Sequence, residues 1–320
     1  MRRRAFVSSL VLAGIPFFSK TLTSSQVLRV GVNLPWYTYG YDIGGREHTP
    51  WKVTPYGYAN NAPRVTRDFM MLKAHGIDIV RVAIFCDLRS GVVWERGRFV
   101  SFNQAAEEDF TELLKIATET GMLLIPVLFD FSIADGVGVH GNTDHPEVIL
   151  NSEDRYALMA SLAQLLADNI QYVSCIYAVD IFNEPENASV LYTAHGVEEL
   201  RKFLKLTAAT VKKVWPKTPV TLGCANRATM LMNWRDIPVD VEQFHYYDRF
   251  ESQGMKFDFP VRNFETKKPV IIGEAEATHI HAKLGLALTN GYDAIIFWSL
   301  HAEDKFTKLD LRQIKAWKRK

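Results

Sequence analysis

Eight short runs rich in β-branched and aromatic residues recur along the chain, at 27–33, 78–85, 123–129, 174–181, 220–223, 241–246, 270–273 and 294–298. Longer amphipathic stretches separate most of them, and helices are expected at 62–75, 104–120, 152–168, 197–214 and 277–289. A parallel strand is covered on both faces and reads as an unbroken apolar run, while the crossover that returns the chain needs only one apolar stripe; the alternation therefore specifies β/α units. Helix punctuation agrees. Asn103 precedes Gln104, with Glu107 and Glu108 in the first turn, Gly121 follows Thr120, and Asn290-Gly291 stands before the last run. The segments 225–239 and 247–268 lack periodicity and are expected to be loops or short helices.

A length of 320 residues would divide into two domains at about 150 residues each, but no linker rich in Gly, Ser or Pro interrupts the chain. Eight units favour a single closed (β/α)8 TIM barrel over an open doubly wound sheet. The dinucleotide fingerprint of an open sheet is also missing, since Gly40-Tyr41-Asp42 carries Asp where its second Gly belongs. Residues 26–320 are assigned to the barrel and residues 1–25 to an export signal: Arg2, Arg3 and Arg4 precede an apolar run that ends at Phe18, short for a membrane span. Arg3-Arg4-Ala5-Phe6-Val7 resembles a twin-arginine signal, so a periplasmic or extracellular location is expected. No later apolar run reaches 18 residues, which excludes a polytopic membrane protein.

With 37 Lys+Arg against 36 Asp+Glu, the formal charge of +1 argues against a nucleic-acid partner. Apolar residues at 48% can build a large core, and 12% aromatic residues suit a cleft that stacks on sugar faces. Cys86, Cys175 and Cys224 are widely spaced, without a metal-ligand pattern, and read as buried free thiols; one disulfide is the other reading.

Barrel chemistry sits at the C-terminal ends of the strands. There the chain places Asn33 and Trp36, Arg81 within the second run, Asp130, Asn183 and Glu184, Asn226 and Arg227, His245 and Tyr247, Glu274 and Trp298. Glu184 and Glu274 each end an apolar run, where a carboxylate is costly unless paired or used. Two carboxylates across a cleft are what glycoside hydrolysis requires, one protonated to donate to the leaving oxygen and one ionised; a separation of about 5 to 5.5 Å goes with retention and about 6.5 to 9.5 Å with inversion.

Ile181-Phe182-Asn183-Glu184-Pro185 resembles the strand-four signature of the clan A retaining glycoside hydrolases, the cellulase and mannanase superfamily. Ile271-Ile272-Gly273-Glu274 is similar to that clan's strand-seven nucleophile, His245-Tyr246-Tyr247 to its strand-six His-x-Tyr, Arg81 to its strand-two Arg and Trp298 to its strand-eight platform. Gly31-Val32-Asn33-Leu34-Pro35-Trp36 resembles the first strand of family 5. The resemblance implies that Glu184 is the acid/base, that Glu274 is the nucleophile and that Asn183 binds the sugar 2-hydroxyl, with Arg81, His245, Tyr247, Trp298, Trp36 and Asp130 around the substrate. It implies a retaining endo-β-1,4-glucanase or mannanase. An exo-β-glycosidase, a transglycosylase and a non-catalytic carbohydrate-binding barrel are the alternatives. Two departures stand out: Phe129-Asp130-Phe131-Ser132 replaces a His pair, and a second acid, Glu276, follows Glu274 by two residues.

Arg81 and Tyr247 donating to Glu274 are expected to lower its pKa, and the resulting negative charge to raise that of Glu184. Trp51 and Trp94 are candidates for outer subsites. His140, His145 and the pair His279 and His281 do not converge with carboxylates at strand ends, so no metal and no cofactor is expected. Asn187-Ala188-Ser189 matches a glycosylation sequon, and Lys318-Arg319-Lys320 reads as a solvated tail. The expected partner is an oligo- or polysaccharide, bound by a monomer.

Overall fold

The computed structural model describes residues 27–45, 56–136, 145–253, 258–301 and 309–319. The expected export signal, Trp51 and His140 lie outside them. Ten strands are present among the described residues: β1 (Arg29–Leu34), β2 (Ile79–Ala83), β3 (Val92–Glu95), β4 (Arg98–Phe102), β5 (Leu123–Val127), β6 (Val179–Asn183), β7 (Val220–Cys224), β8 (Val241–Tyr246), β9 (Val270–Glu276) and β10 (Ala294–Trp298). Eight of them close a barrel in the order β1-β10-β9-β8-β7-β6-β5-β2, with every neighbouring pair parallel. These eight are the eight apolar runs.

The α-helices are α1 (Ala62–Ala74), α2 (Gln104–Thr120), α3 (Glu147–Leu150), α4 (Ser152–Asp168), α5 (Ala194–Val214), α6 (Arg227–Met232), α7 (Ile280–Asn290) and α8 (Leu311–Lys318). Their ends follow the caps. Asn103 accepts from the Ala106 N–H at 2.8 Å and Asn151 from Glu153 at 2.8 Å, each satisfying a donor that the first helical turn leaves open. Gly121 and Gly291 close α2 and α7 in the left-handed conformation, at φ 64° and 82°.

One core layer lies between barrel and helices, where Val80, Leu124, Ile181 and Phe297 pack outward. A second, smaller cluster of Ile79, Ile125, Val241, Ile271, Ala294 and Ile296 fills the barrel interior. The polar side chains described below occupy the barrel above it.

Two features differ from the sequence expectation. Residues 92–102 form an antiparallel hairpin, β3 with β4, inserted after the second barrel strand. The fourth strand starts at Val179 instead of Ser174, because Ile170–Cys175 winds into a 3-10 turn and only an isolated bridge joins Ile176 to Leu124; local β propensity there yields to the path from α4 into the barrel. Between β8 and β9 the described residues hold two 3-10 turns, Asp248–Gln253 and Val261–Phe264, in keeping with the loops or short helices expected there. The three cysteines are free and buried, as the first of the two sequence readings has it. No described helix is long and apolar enough to cross a membrane.

Candidate active site

A cleft of about 680 Å³ opens at the C-terminal ends of the strands, lined by Arg81, Asp130, Asn183, Glu184, Tyr247 and Glu274 together with Trp36, Tyr39 and Trp298. Its floor is a buried polar layer organised by Arg81. The guanidinium donates to Glu274 Oε1 at 2.8 Å, to Asn33 Oδ1 at 3.0 Å, to Asn183 Oδ1 at 2.6 Å, and twice to Asp180 Oδ2, at 2.9 and 3.1 Å. Asp180 also accepts from Gln243 Nε2 at 2.6 Å and from the Gly223 N–H at 3.0 Å. Room for this layer comes from two glycines. A Cβ on Gly223 would lie 2.8 to 2.9 Å from Gln243, Arg81 and Asp180, and one on Gly273 only 2.5 Å from Gln243 Cδ. The Asn33 amide completes the layer by donating to the Gly273 carbonyl at 3.0 Å.

Glu184 and Glu274 face each other above this layer, and the His-x-Tyr motif is divided between them. His245 Nδ1 lies 2.6 Å from Glu184 Oε1, while the Tyr247 hydroxyl donates to Glu274 Oε2. Asn187, the sequon asparagine, donates to Glu184 Oε2 at 2.7 Å, so its amide is engaged in the cleft. Glu184 adopts the left-handed conformation at φ 47° and closes β6 with its own N–H on the Gly223 carbonyl at 2.6 Å. A non-glycine residue held there is a strained backbone position, of the kind that gathers at functional sites.

Burial holds His245 down to about 4, so its imidazole is neutral at neutral pH. Its Nε2 is buried without a partner, and a bare lone pair is the less costly group to leave there than an N–H. The favoured tautomer therefore carries its proton on Nδ1 and donates to Glu184. Burial pushes the Glu184 carboxyl up, with Arg81, Asn187 and Arg249 pulling the other way. Burial also raises Glu274, and the charge of Glu184 adds to it, against His245, Arg81 and Tyr247. This corrects the sequence expectation for Glu274: desolvation of a fully enclosed carboxylate exceeds the gain from one guanidinium and one phenol. The Tyr247 phenol is itself held well above its usual range by burial and by Glu274, so it stays a donor.

The cleft has two unlike ends. Trp36 meets Trp298 edge to face at 6.2 Å and Tyr39 at 4.6 Å, an aromatic wall on the β1 and β10 side. Opposite lie Asn187, Asn226, Arg249 and Phe250, with the Arg249 guanidinium 4.9 Å from the Tyr247 ring. Between them, Asp130 accepts from Asn183 Nδ2 at 2.8 Å and from the Ser132 N–H at 2.9 Å, and burial raises its carboxyl to about 6.

The strand-end residues named from the sequence all line the cleft except His245, which sits beneath it on Glu184, and Arg227, whose guanidinium lies over the Phe259 ring at 3.8 Å. Trp94 does not line it: it stacks on His145 at 4.2 Å, and His145 pairs with Glu147 at 3.0 Å. Among the described residues, Glu184, His245 and Glu274 form the one group of three or more metal-type ligands, with their donor atoms within 4.8 Å of one another. The Arg81 guanidinium, 2.8 Å from Glu274, sets a fixed positive charge beside this group that repels a second cation. Asp180, Gln243 and Asn187 were missed in the sequence. The first two carried a signal, a charged or amide side chain inside an otherwise apolar strand run.

No protein-family model matches the chain. A mannan endo-1,4-β-mannosidase of Mytilus edulis is 21% identical over an alignment covering 84% of this chain and 82% of that protein. Among solved structures, an endo-1,4-β-mannanase of Eisenia fetida superposes with a TM-score of 0.76 at 18% identity, covering 93% of this chain and 92% of that one. The β-mannanase of Mytilus edulis gives 0.74 at 18% identity, covering 92% of each. The chain is a (β/α)8 barrel that shares the fold of these β-mannanases over nine-tenths of its length.

Proposed function

We propose that this protein is a retaining glycoside hydrolase that cleaves β-1,4-mannan internally, with Glu274 as nucleophile and Glu184 as acid/base. The observation that carries this reading is the pair of carboxylates facing each other in an aromatic-walled cleft, one oxygen of each within 4.8 Å of the other. That spacing suits direct attack; inversion would need room for a water, about 6.5 to 9.5 Å between the carboxyl groups. The mannanases named above support mannan as the substrate and endo action as the mode.

The hydrogen bonds divide the roles. Glu274 is held by a guanidinium and a phenol, both of which favour its ionised form, so it attacks the anomeric carbon. Glu184, whose carboxyl burial pushes up, keeps the proton. His245 on Oε1 and Asn187 on Oε2 hold the Glu184 carboxyl in place for proton transfer to the leaving oxygen. Once Glu274 is esterified its charge is gone, Glu184 ionises readily, and it takes a proton from the incoming water. No step requires a metal. The leaving group lies toward Asn187, Asn226 and Arg249, and the sugar under attack lies toward Trp298. Export by the segment 1–25 and action as a monomer complete the proposal.

The test is hydrolysis of β-1,4-mannan, β-1,4-glucan and xylan, with the first-formed anomer followed by NMR. β-Mannan cleaved with the β-anomer appearing first is the expected result; an α-anomer first overturns the two-step mechanism. The pH dependence of kcat/KM is expected to be bell-shaped, with both limbs above the ordinary carboxylate range, because burial raises both groups. Below the acid limb Glu274 is protonated and cannot attack; above the alkaline limb Glu184 has lost the proton it must give. A plateau extending down to the pKa of a free carboxylate contradicts this.

A further inference from the structure

Glu276, the second acid after the strand-seven run, does not line the cleft. It is buried, and its Oε2 accepts the backbone N–H of Asp248 at 2.9 Å. Asp248 follows Tyr247 directly. Its carboxylate accepts from Lys283 Nζ at 2.9 Å and from the Thr278 hydroxyl. Lys283 is a buried lysine of α7 that also donates to the Glu276 carbonyl at 2.5 Å and to Thr278 Oγ1 at 3.0 Å. An ammonium has three donors, and here all three are engaged. A lysine is rarely buried unless paired, so the partners mark a built site. What they join is the turn after β8 and the end of β9, the two segments that carry Tyr247 and Glu274.

We propose that Glu276 and Lys283 are positioning residues that fix the backbone just after Tyr247 and so keep its hydroxyl on Glu274 Oε2. The inference rests on Glu274 being the nucleophile. Neither side chain touches the cleft; Glu276 acts through the peptide between Tyr247 and Asp248, and Lys283 through the Asp248 carboxylate. A hydrogen bond weakens steeply once its partners part, so a small shift of this turn removes the phenol from the carboxylate. Glu274 would then be faced by Arg81, His245 and Glu184 alone, and would ionise at higher pH.

The experiment is a double-mutant cycle on soluble β-mannan. Glu276→Leu and Lys283→Met are each expected to lower kcat by about tenfold or more with KM within about twofold, because misplacement of a catalytic group is felt in the chemical step. Glu276→Gln keeps an oxygen for the Asp248 N–H and is expected to stay within about twofold of the parent. In the Tyr247→Phe background, Glu276→Leu should add nothing, and the acid limb of kcat/KM should move to higher pH equally in E276L and Y247F. Full multiplication of the two losses, or a lower Tm with unchanged kcat and pH profile, overturns the proposal. Should Lys283→Met not fold, the comparison of E276L with E276Q decides alone. Glu274→Gln run alongside separates the two readings: normal turnover by that variant removes the nucleophile assignment, whereas an inactive E274Q with independent E276L and Y247F effects removes only the positioning role.

Discussion

Glu274→Gln is expected to lower kcat on β-mannan by about four orders of magnitude or more, since removing an enzyme nucleophile abolishes the covalent route and leaves only binding and polarisation. The substitution preserves shape, and its amide oxygen can still accept from Arg81, so far-ultraviolet circular dichroism and Tm should change little. Glu184→Gln makes the informative contrast. It should lose about 10² to 10⁴ on mannan, where the leaving group needs a proton. On an aryl mannoside with an acidic phenol leaving group, which departs unprotonated, the first step should survive and the glycosyl-enzyme should accumulate as a mass adduct on Glu274. The adduct is absent if the two residues have the opposite roles, so the pair of variants assigns each carboxylate separately. In E184Q the alkaline limb of the pH profile should also vanish, since the group that sets it no longer titrates.

The second large effect is on stability. Arg81→Met is expected to destabilise the protein by about 3 to 5 kcal/mol, the cost of leaving a buried charge without its partner. Asp180 is fully buried and takes two of the five Arg81 hydrogen bonds; Gln243 and the N–H groups of Gly223 and Phe182 would remain as its donors. Urea unfolding checks the number. Adding Asp180→Asn to Arg81→Met should recover part of the loss by removing the stranded charge, a non-additivity that independent sites do not show. Equal or greater destabilisation in the double variant would mean that Asp180 does not carry the cost. Activity should fall in both, because Glu274 and Asn183 lose the donor that orients them.

How far the sequence led can be judged from particular residues. The eight strands were legible because barrel strands are buried on both faces, which forces unbroken apolar runs of the right length. Glu184 and Glu274 were legible for the complementary reason: a carboxylate ending such a run is expensive, and its cost marks it. The hairpin at 92–102 escaped, since two four- and five-residue strands packed on helices show neither the apolar density of a barrel strand nor a diagnostic turn. Asn187 escaped because a polar residue after a proline is ordinary in a loop, and only the left-handed turn at Glu184 brings its amide back onto that carboxylate.

The order of apolar runs, caps and strand-end acids was thus written into the chain itself, because burial and local hydrogen bonding act on each segment separately. Partnership was decided by tertiary structure alone. Arg81 reaches Asp180 across 99 residues and Glu274 across 193, and which of these carboxylates it holds depends on barrel closure and on the space left by Gly223 and Gly273. The pKa of Glu274 makes the same point. From the two donors expected of it, Arg81 and Tyr247, it should fall; in the closed barrel it rises, because desolvation belongs to the enclosure as a whole and not to any one residue.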